Sequence, residues 1–273
     1  MAKSDLAMLG YVGLGRYNTC MRVEPHGIDS VLHAIKRGAR GFDIVRDDND
    51  RRDFERMLYY LNDTYDGQHW RRDVSLAKHL ERPAHWPERQ PLTKILGWTL
   101  LSNHFHLILQ QTTDGGIAKF MQRLCGSMSL CFNAKYSGKG SIFQGGYKGR
   151  VVESDGDLRY LTSYVLVKNI FDMHPQGLEY AVDNFDSAWK WALEYPFSSL
   201  KHIVLNDHSV ITEDGLLREL YQNMEDFRDD ALDMLHVYIE KRGRLRSDDL
   251  ECGDGQVLLS HAWLSRTWPM HIH

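Results

Sequence analysis

The residues best suited to chemistry are two histidines, His104 and His106, which interrupt an apolar stretch of the chain. Side chains on a β-strand alternate between its faces, so residues two apart point the same way, roughly 7 Å apart along the strand. Both imidazoles could therefore bind one cation, while Phe105 turns to the opposite face. Most isolated His-x-His pairs are ordinary polar positions. Burying two histidines without a partner would cost free energy, and this favours a metal site here.

Two apolar segments frame the histidine pair and predict two strands. Residues 95–101 and 105–109 meet at a tight Ser102-Asn103 corner. Residues 30–37 predict an earlier strand, and Asp47 or Asp48 is a candidate cap for the helix that follows it. The chain order strand, helix, strand, strand, helix, strand is the split βαβ pattern of an α+β, ferredoxin-like fold. We expect an antiparallel sheet with helices on one face and the other face free for chemistry.

A helix after the last strand carries a second set of reactive side chains. Asp155 can cap this helix, predicted from residue 156 to about 171. Tyr160, Tyr164 and Lys168 recur at every fourth position, so a tyrosine and a lysine lie one turn apart on one face.

Composition indicates a soluble globular protein. Of the 273 residues, 42% are hydrophobic and 26% charged. The four cysteines form no C-x-x-C pair, so neither a disulfide framework nor a zinc knuckle is indicated. There is no apolar run long enough for a membrane helix and no signal-peptide pattern, so we expect a cytoplasmic protein with no membrane partner.

The net charge of −4 conceals an uneven distribution of charge. Residues 115–152 contain six basic and no acidic residues, whereas residues 212–254 contain thirteen acidic against six basic ones. Such a chain could present one cationic face to a polyanion, although both segments could equally be solvated surfaces. The candidate DNA-binding residues are Lys119, Arg123, Lys139, Phe143, Tyr147, Lys148, Arg150 and Lys168.

Two segments compete for the role of nucleic-acid surface. Residues 137–149 are rich in glycine, with aromatic and cationic side chains interleaved, which suits phosphates and bases. Residues 66–91 place Trp70 and Trp86 beside several arginines, a composition equally suited to stacking on unpaired bases. We divide the chain into an arm (1–29), a main domain (30–205, with 66–91 inserted), a C-terminal helical region (206–242) and a flexible tail (243–273).

Five ordered blocks carry a resemblance to a known family. SNHFHLIL, KFMQRL, GSIFQGGYK, the stretch from Asp155 to Tyr164, and YPFSSL resemble the single-tyrosine HUH transposases, in particular the REP-associated tyrosine transposases. The likeness runs from about residue 31 to residue 200. It implies a metal-dependent endonuclease and strand transferase that acts on single-stranded DNA with a hairpin, as a monomer or a homodimer.

The resemblance also assigns roles to residues. Tyr164 would be the nucleophile that forms a 5′-phosphotyrosine link, and His104 and His106 would hold Mg²⁺ or Mn²⁺ against the scissile phosphate. One turn after the tyrosine these families usually have Gln or Asn as a further metal ligand, but here Lys168 stands there and Asn169 follows. A protonated lysine cannot ligate a metal.

This departure leaves four explanations open. Asn169 could reach the metal through a local distortion of the helix, water and DNA oxygens could complete the shell, Lys168 could bind phosphate, or the enzyme could be inactive. The rival function is a catalytically inactive nucleic-acid-binding protein of the same fold. A zinc hydrolase is disfavoured, because no nearby Cys or Glu supplies a third ligand.

Overall fold

The computed structural model describes residues 23, 26–67, 69–75, 80–221 and 223–248. Most of the predicted arm (1–29) and the chain beyond residue 248 therefore lie outside the described residues. Residues 243–248, predicted as the start of the tail, continue the last helix. No helix in the described ranges is long and apolar enough to cross a membrane.

Four strands form one antiparallel sheet in the order β2-β3-β1-β4. The strands are β1 (Val31–Arg37), β2 (Thr93–Leu100), β3 (His104–Gln111) and β4 (Lys148–Val152). This order and the helices between the strands confirm the predicted α+β, ferredoxin-like class.

Helices connect the strands and fill the C-terminal part of the described chain. They are α1 (Asp48–Tyr60), α2 (Trp70–Asp73), α3 (Gly116–Tyr136), α4 (Asp155–Ser163), α5 (Asn169–Phe171), α6 (Gly177–Asp183), α7 (Phe185–Leu193), α8 (Leu200–Val204), α9 (Gly215–Leu220) and α10 (Met224–Asp248). A π-helical segment (Tyr164–Lys168), called the π-turn below, joins α4 to α5.

The alternation of side chains along β3 divides the core in two. Phe105, Leu107 and Leu109 face α1 and α3, with which they form one buried cluster. Ile108 points the other way and packs with the later helices in a second cluster. The expectation that one face of the sheet stays free is therefore wrong. α1 and α3 cover one face as predicted, and helices from α4 onward cover the other because their apolar faces need burial.

The helix starts follow from capping chemistry. Asp47 caps α1 by accepting a hydrogen bond from the backbone N–H of Asp50 at 3.0 Å. The cap of α4 is Ser154 and not the predicted Asp155, since the Ser154 hydroxyl accepts the N–H of Asp157 at 3.1 Å. Asp155 instead occupies the first turn, where a carboxylate suits the helix dipole.

The inserted segment packs onto the domain instead of displaying its aromatic rings. Trp70 and Trp86 are 7% and 6% exposed, and both rings contact Tyr60 of α1. Arg82 forms an ion pair with the buried Asp63. Neither tryptophan is available for stacking on a base, so these two residues serve the core.

Candidate tyrosine–histidine site

Three histidines, not two, meet on the face of the sheet that α4 covers. His104 and His106 project from β3, and their ring centroids lie 5.0 Å apart. His33 projects from β1 and meets His106 edge to edge, with nearly parallel rings 5.2 Å apart between centroids and its Nε2 2.9 Å from His106 Nδ1. His104 and His106 thus lie side by side as predicted, and the additional imidazole of His33 contacts His106.

Both strand histidines use the same ring nitrogen for support. The Nδ1 of His104 lies 2.6 Å from Asn103 Oδ1, an acceptor, so His104 donates from Nδ1. The Nδ1 of His106 is engaged by His33. In the described part of the chain, neither Nε2 atom has a hydrogen-bonding partner. Two Nε2 lone pairs are therefore compatible with a shared cation.

The surroundings keep the three imidazoles neutral. Burial, with help from Arg37 and Lys168, lowers the pKa of His104 to about 4. Burial and neighbouring imidazoles hold the pKa of His106 well below its ordinary value. Burial and Arg150 lower the pKa of His33 to about 3. Neutral imidazole is the form that ligates a metal, so the protonation state of these histidines fits metal binding.

Tyr164 comes from the π-turn and lies against these histidines. Its ring centroid is 5.7 Å from that of His106 and 6.1 Å from that of His33, edge-on in both cases. Burial raises the pKa of the Tyr164 phenol, and Lys168 and Arg37 oppose that rise. The predicted tyrosine and the predicted histidine pair are thus neighbours in the fold.

The π-turn changes the hydrogen bonding directly after Tyr164. The N–H of Asn169 donates to the carbonyl of Tyr164, five residues back, instead of bonding only within a regular α-helix. The carbonyl of Val165 receives the Thr99 hydroxyl of β2 at 2.7 Å and the Asn169 side-chain amide at 3.5 Å. A strand side chain therefore helps to satisfy the backbone where the helix departs from α geometry.

Lys168 stands at the sequence position where the resembling families have a metal ligand, and it is buried. Only 6% of the residue is exposed, and its ammonium forms an ion pair with Asp172 at 2.5 Å. The same ammonium lies 5.1 Å from the ring centroid of Tyr164 and 4.8 Å from that of Tyr238 on α10. Burial lowers the pKa of Lys168, but Tyr164, Asp172 and Tyr238 outweigh burial and raise it, so Lys168 stays a cation.

Asn169 is buried beside Lys168 and directs its amide group to Val165 of its own helix. The helix distortion that would be required for Asn169 to approach the metal is present. The contacts of its side chain, however, do not bring it to His104 or His106.

The predicted DNA-binding residues are scattered over the molecule. Phe143 is 4% exposed and packs edge-on against Phe105, so it belongs to the core and its ring cannot stack on a base. Arg123 donates to the carbonyls of Asp63 and Tyr65 and pairs with Asp66, which ties it to the inserted segment. Both predictions are corrected on these contacts.

The remaining predicted cations divide between the two sides of the sheet. Lys119 is exposed on α3, on the side away from Tyr164. Lys139 and Lys148 are exposed and Tyr147 is partly buried in and after the glycine-rich loop. Arg150 of β4 stands opposite His33 in the strand register and so belongs to the tyrosine side.

Sequence reasoning missed two residues of β1, His33 and Arg37. Arg37 is exposed and lies opposite His104 in the β1–β3 register. The sequence contains a signal that His33 and Arg37 lie together, since His33, Ile35 and Arg37 occupy alternate positions of a strand and therefore share one face. The sequence did not show which face of β1 met the histidine pair, because that depends on the register with β3.

The site thus combines a phenol, a buried lysine and neutral imidazoles on a ferredoxin-like sheet. That combination is suited to transfer of a phosphoryl group to a tyrosine, with cationic groups to offset negative charge.

Comparison with known proteins gives a family model that matches part of the chain. Residues 73–167 match the family model described as "Transposase IS200 like". The matched segment contains His104, His106 and Tyr164, and it confirms the predicted resemblance to these transposases. Among curated proteins, none matches the chain.

The chain also has a distant likeness to a solved structure. The structure of a REP-associated tyrosine transposase bound to a REP hairpin is 11% identical to this chain, with a TM-score of 0.37. The likeness covers 68% of this chain and 87% of that one.

Proposed function

We propose that this protein is a metal-dependent endonuclease and strand transferase that acts on single-stranded DNA through Tyr164. The observation that carries the proposal is the edge-on contact of the Tyr164 ring with His106, at 5.7 Å between centroids. It joins the two halves of the predicted site, one from a strand and one from a helix.

The chemistry begins when the Tyr164 oxygen attacks a backbone phosphorus. A bond forms between that oxygen and phosphorus, the bond from phosphorus to the 3′ oxygen breaks, and the products are a 5′-phosphotyrosine and a free 3′-hydroxyl. The phenol must lose its proton, and burial makes this harder by raising the pKa of Tyr164. Lys168 and Arg37 act in the opposite direction, because their positive charges stabilise a phenolate.

The residues that would hold Mg²⁺ or Mn²⁺ are His104 and His106 through their Nε2 atoms. Both are neutral and have their Nδ1 atoms engaged, which fits a metal-ligating histidine. A bound divalent cation supplies polarisation of the phosphoryl oxygens and offsets developing negative charge. Water and DNA oxygens would complete the shell. Asn169 remains a candidate ligand only if its amide turns away from Val165.

The DNA strand would enter on the side of Arg37 and Arg150. Arg37 is exposed opposite His104, and Arg150 stands opposite His33, so two guanidiniums flank the histidines. The guanidinium is well suited to phosphate. Lys148, two residues before Arg150 on β4, lies on the same face and extends this cationic surface. A hairpin next to the cleavage site follows from the family resemblance, and the homodimer stays a prediction.

A second candidate function is DNA binding without cleavage. Two observations favour it: Tyr164 is partly buried beneath Tyr238, and a lysine occupies the position where the resembling families have an amide ligand. In such a protein the cations would hold DNA and the phenol would remain unreacted.

Covalent attachment separates the two functions. We would incubate the protein and Mn²⁺ with a randomised pool of end-labelled hairpin oligonucleotides that carry single-stranded flanks, and detect adducts on denaturing gels. The wild type should form an adduct, and Tyr164→Phe should form none while it still binds the pool. Tyr160→Phe is the matched control, since this ring stacks on Tyr164 one turn away.

Two further experiments test whether the reaction needs a divalent cation and the histidine pair. His106→Ala, or EDTA with the wild type, should abolish the adduct. Adduct formation by Tyr164→Phe would refute the assignment of the nucleophile, and a wild type that binds but never forms an adduct would establish the second candidate.

A further inference from the structure

His33 is a partly buried polar residue that the reaction above does not use. It comes from β1, outside the segment matched by the transposase family model, and it contacts both His106 and Tyr164. Its Nε2 atom lies 2.9 Å from His106 Nδ1, close enough for one ring N–H to donate to the other ring's lone pair. The direction of this bond determines which nitrogen of His106 is free.

The proton between His33 Nε2 and His106 Nδ1 can belong to either ring, and only one of these arrangements leaves His106 Nε2 free to bind a metal. If His33 donated from Nε2, His106 Nδ1 would accept, and the neutral His106 would carry its own proton on Nε2. That nitrogen could not ligate a metal. If His106 donates from Nδ1, its Nε2 lone pair is free, and His33 carries its proton on Nδ1.

We propose that His33 is a positioning residue that accepts the Nδ1 proton of His106 and so presents the His106 Nε2 lone pair to a divalent cation. This inference rests on the metal-dependent function proposed above. His104 provides the parallel within the same site: its Nδ1 must donate, because Asn103 Oδ1 can only accept, so its Nε2 carries the lone pair. With His33 as an acceptor, both histidines expose the same nitrogen.

The relative orientation of the two rings fits this role. The His33 and His106 rings are 16° from parallel, with centroids 5.2 Å and facing nitrogens 2.9 Å apart, so they meet edge to edge in nearly one plane. This in-plane hydrogen bond restricts the rotation of the His106 ring as well as its tautomer. A ligand held in one tautomer and one orientation binds a metal more tightly, and loss of such a support typically costs about 10- to 100-fold in affinity.

The test compares two substitutions of His33. Leu fills similar space but accepts no hydrogen bond, whereas the side-chain oxygen of Gln can replace the acceptor nitrogen. We expect His33→Leu to weaken Mn²⁺ binding, measured by EPR titration of the DNA-free protein, by about 10- to 100-fold. His33→Gln should stay within a few-fold of wild type. The exposed His208→Gln is the matched control.

A second measurement reads the tautomer without metal or DNA. Long-range ¹H–¹⁵N spectra of histidine-labelled protein distinguish a proton on Nδ1 from one on Nε2, with His106 assigned through His106→Gln. Wild type should carry the His106 proton on Nδ1, and His33→Leu should shift population to the Nε2 tautomer. Thermal melts verify that each variant is folded, and the Gln variant keeps the test valid if the Leu variant is not.

Two results would overturn the inference: a His106 proton on Nε2 in the metal-free wild type, or Mn²⁺ affinity unchanged in His33→Leu. Failure of the proposed function looks different. In that case the wild type would bind Mn²⁺ no better than His104→Ala, and the tautomer spectrum alone would decide the role of His33.

Discussion

At the scale of single residues, the site depends on histidines that are buried in the neutral form. An unfolded histidine titrates near a pKa of about 6.5, whereas burial lowers the pKa of His104 to about 4 and that of His33 to about 3 in the folded protein. Between these values the unfolded chain binds more protons than the folded one. Acid therefore favours unfolding.

We predict that the metal-free protein loses stability as the pH falls below about 6.5, and that the loss continues towards the folded-state pKa of His104 at about 4. The check is the free energy of urea unfolding in EDTA at several pH values. His33→Gln should flatten the dependence, because one depressed pKa is removed. A profile identical to wild type in this variant would mean that His33 titrates normally.

Arg37 gives a second prediction at the residue scale. Its guanidinium is exposed opposite His104 and within the charge environment of Tyr164. Arg37→Ala should weaken binding of the hairpin pool and reduce the slope of log affinity against log salt by about 0.7, the value for one phosphate contact in a single strand.

Lys119→Ala is the natural comparison for Arg37→Ala. This lysine is also exposed, but it lies on α3, on the face of the sheet opposite to Tyr164. We expect it to leave the salt slope unchanged. Equal losses in the two variants would place DNA on both sides of the molecule.

At the scale of elements, the π-turn determines how Tyr164 meets the sheet. The Val165 carbonyl accepts the Thr99 hydroxyl, which connects β2 to the tyrosine segment through a buried hydrogen bond. π-turns recur at functional sites, and one that is held by a strand side chain is coupled to the sheet.

We predict that Thr99→Val costs about 1–3 kcal/mol, because the buried Val165 carbonyl loses the Thr99 hydroxyl, its shorter side-chain donor, and keeps the Asn169 amide at 3.5 Å. The variant should also slow adduct formation, since the π-turn is less well fixed. Unfolding in urea and the rate of adduct formation provide the two measurements.

Thr162→Val is the control for Thr99→Val. Thr162 is also buried, but its hydroxyl donates to Leu158 four residues back within α4. In a regular α-helix that carbonyl already accepts a backbone N–H, so the cost should be smaller. If both variants lost the same stability, the Thr99 bond would have no special part in holding the π-turn.

The elements show where sequence reasoning succeeds and where it stops. Alternation in β3 and helical spacing in α4 predicted the strand with the histidine pair and the helix with Tyr164, because both patterns are local. The sequence indicates the π-turn only as one of several explanations for Lys168, since no local pattern specifies a π-helical segment. His33 and Arg37 were missed because their place in the site depends on long-range strand register.

Three buried aromatic residues show a second limit of prediction from sequence. Phe143, Trp70 and Trp86 occur among cationic residues, so their composition suggested a nucleic-acid surface. Each ring is instead in the core. Composition does not distinguish an exposed ring from a buried one, since that depends on which surface packs over the segment.

At the scale of the whole molecule, α10 joins the tyrosine segment to the C-terminal region. Phe227, Ala231, Met234 and Leu235 are buried in the same cluster as Leu161 and Val165. Arg159 of α4 pairs with Asp230 of α10 at 2.8 Å, and Tyr238 lies 6.4 Å from Tyr164. We therefore expect the predicted C-terminal region, residues 206–242, to unfold together with the main domain.

Phe227→Ala tests that coupling. The ring is fully buried among Trp189 and Tyr221, so its removal leaves a cavity and should cost about 3–5 kcal/mol. Because α10 and α4 share a core, we expect one cooperative urea transition at lower denaturant, with loss of adduct formation at the same midpoint. Leu130→Ala, at a residue that is 73% exposed on α3, should change stability by less than about 0.5 kcal/mol. Two separate transitions in Phe227→Ala, with adduct formation surviving the first, would show that α10 folds apart from the segment that carries Tyr164.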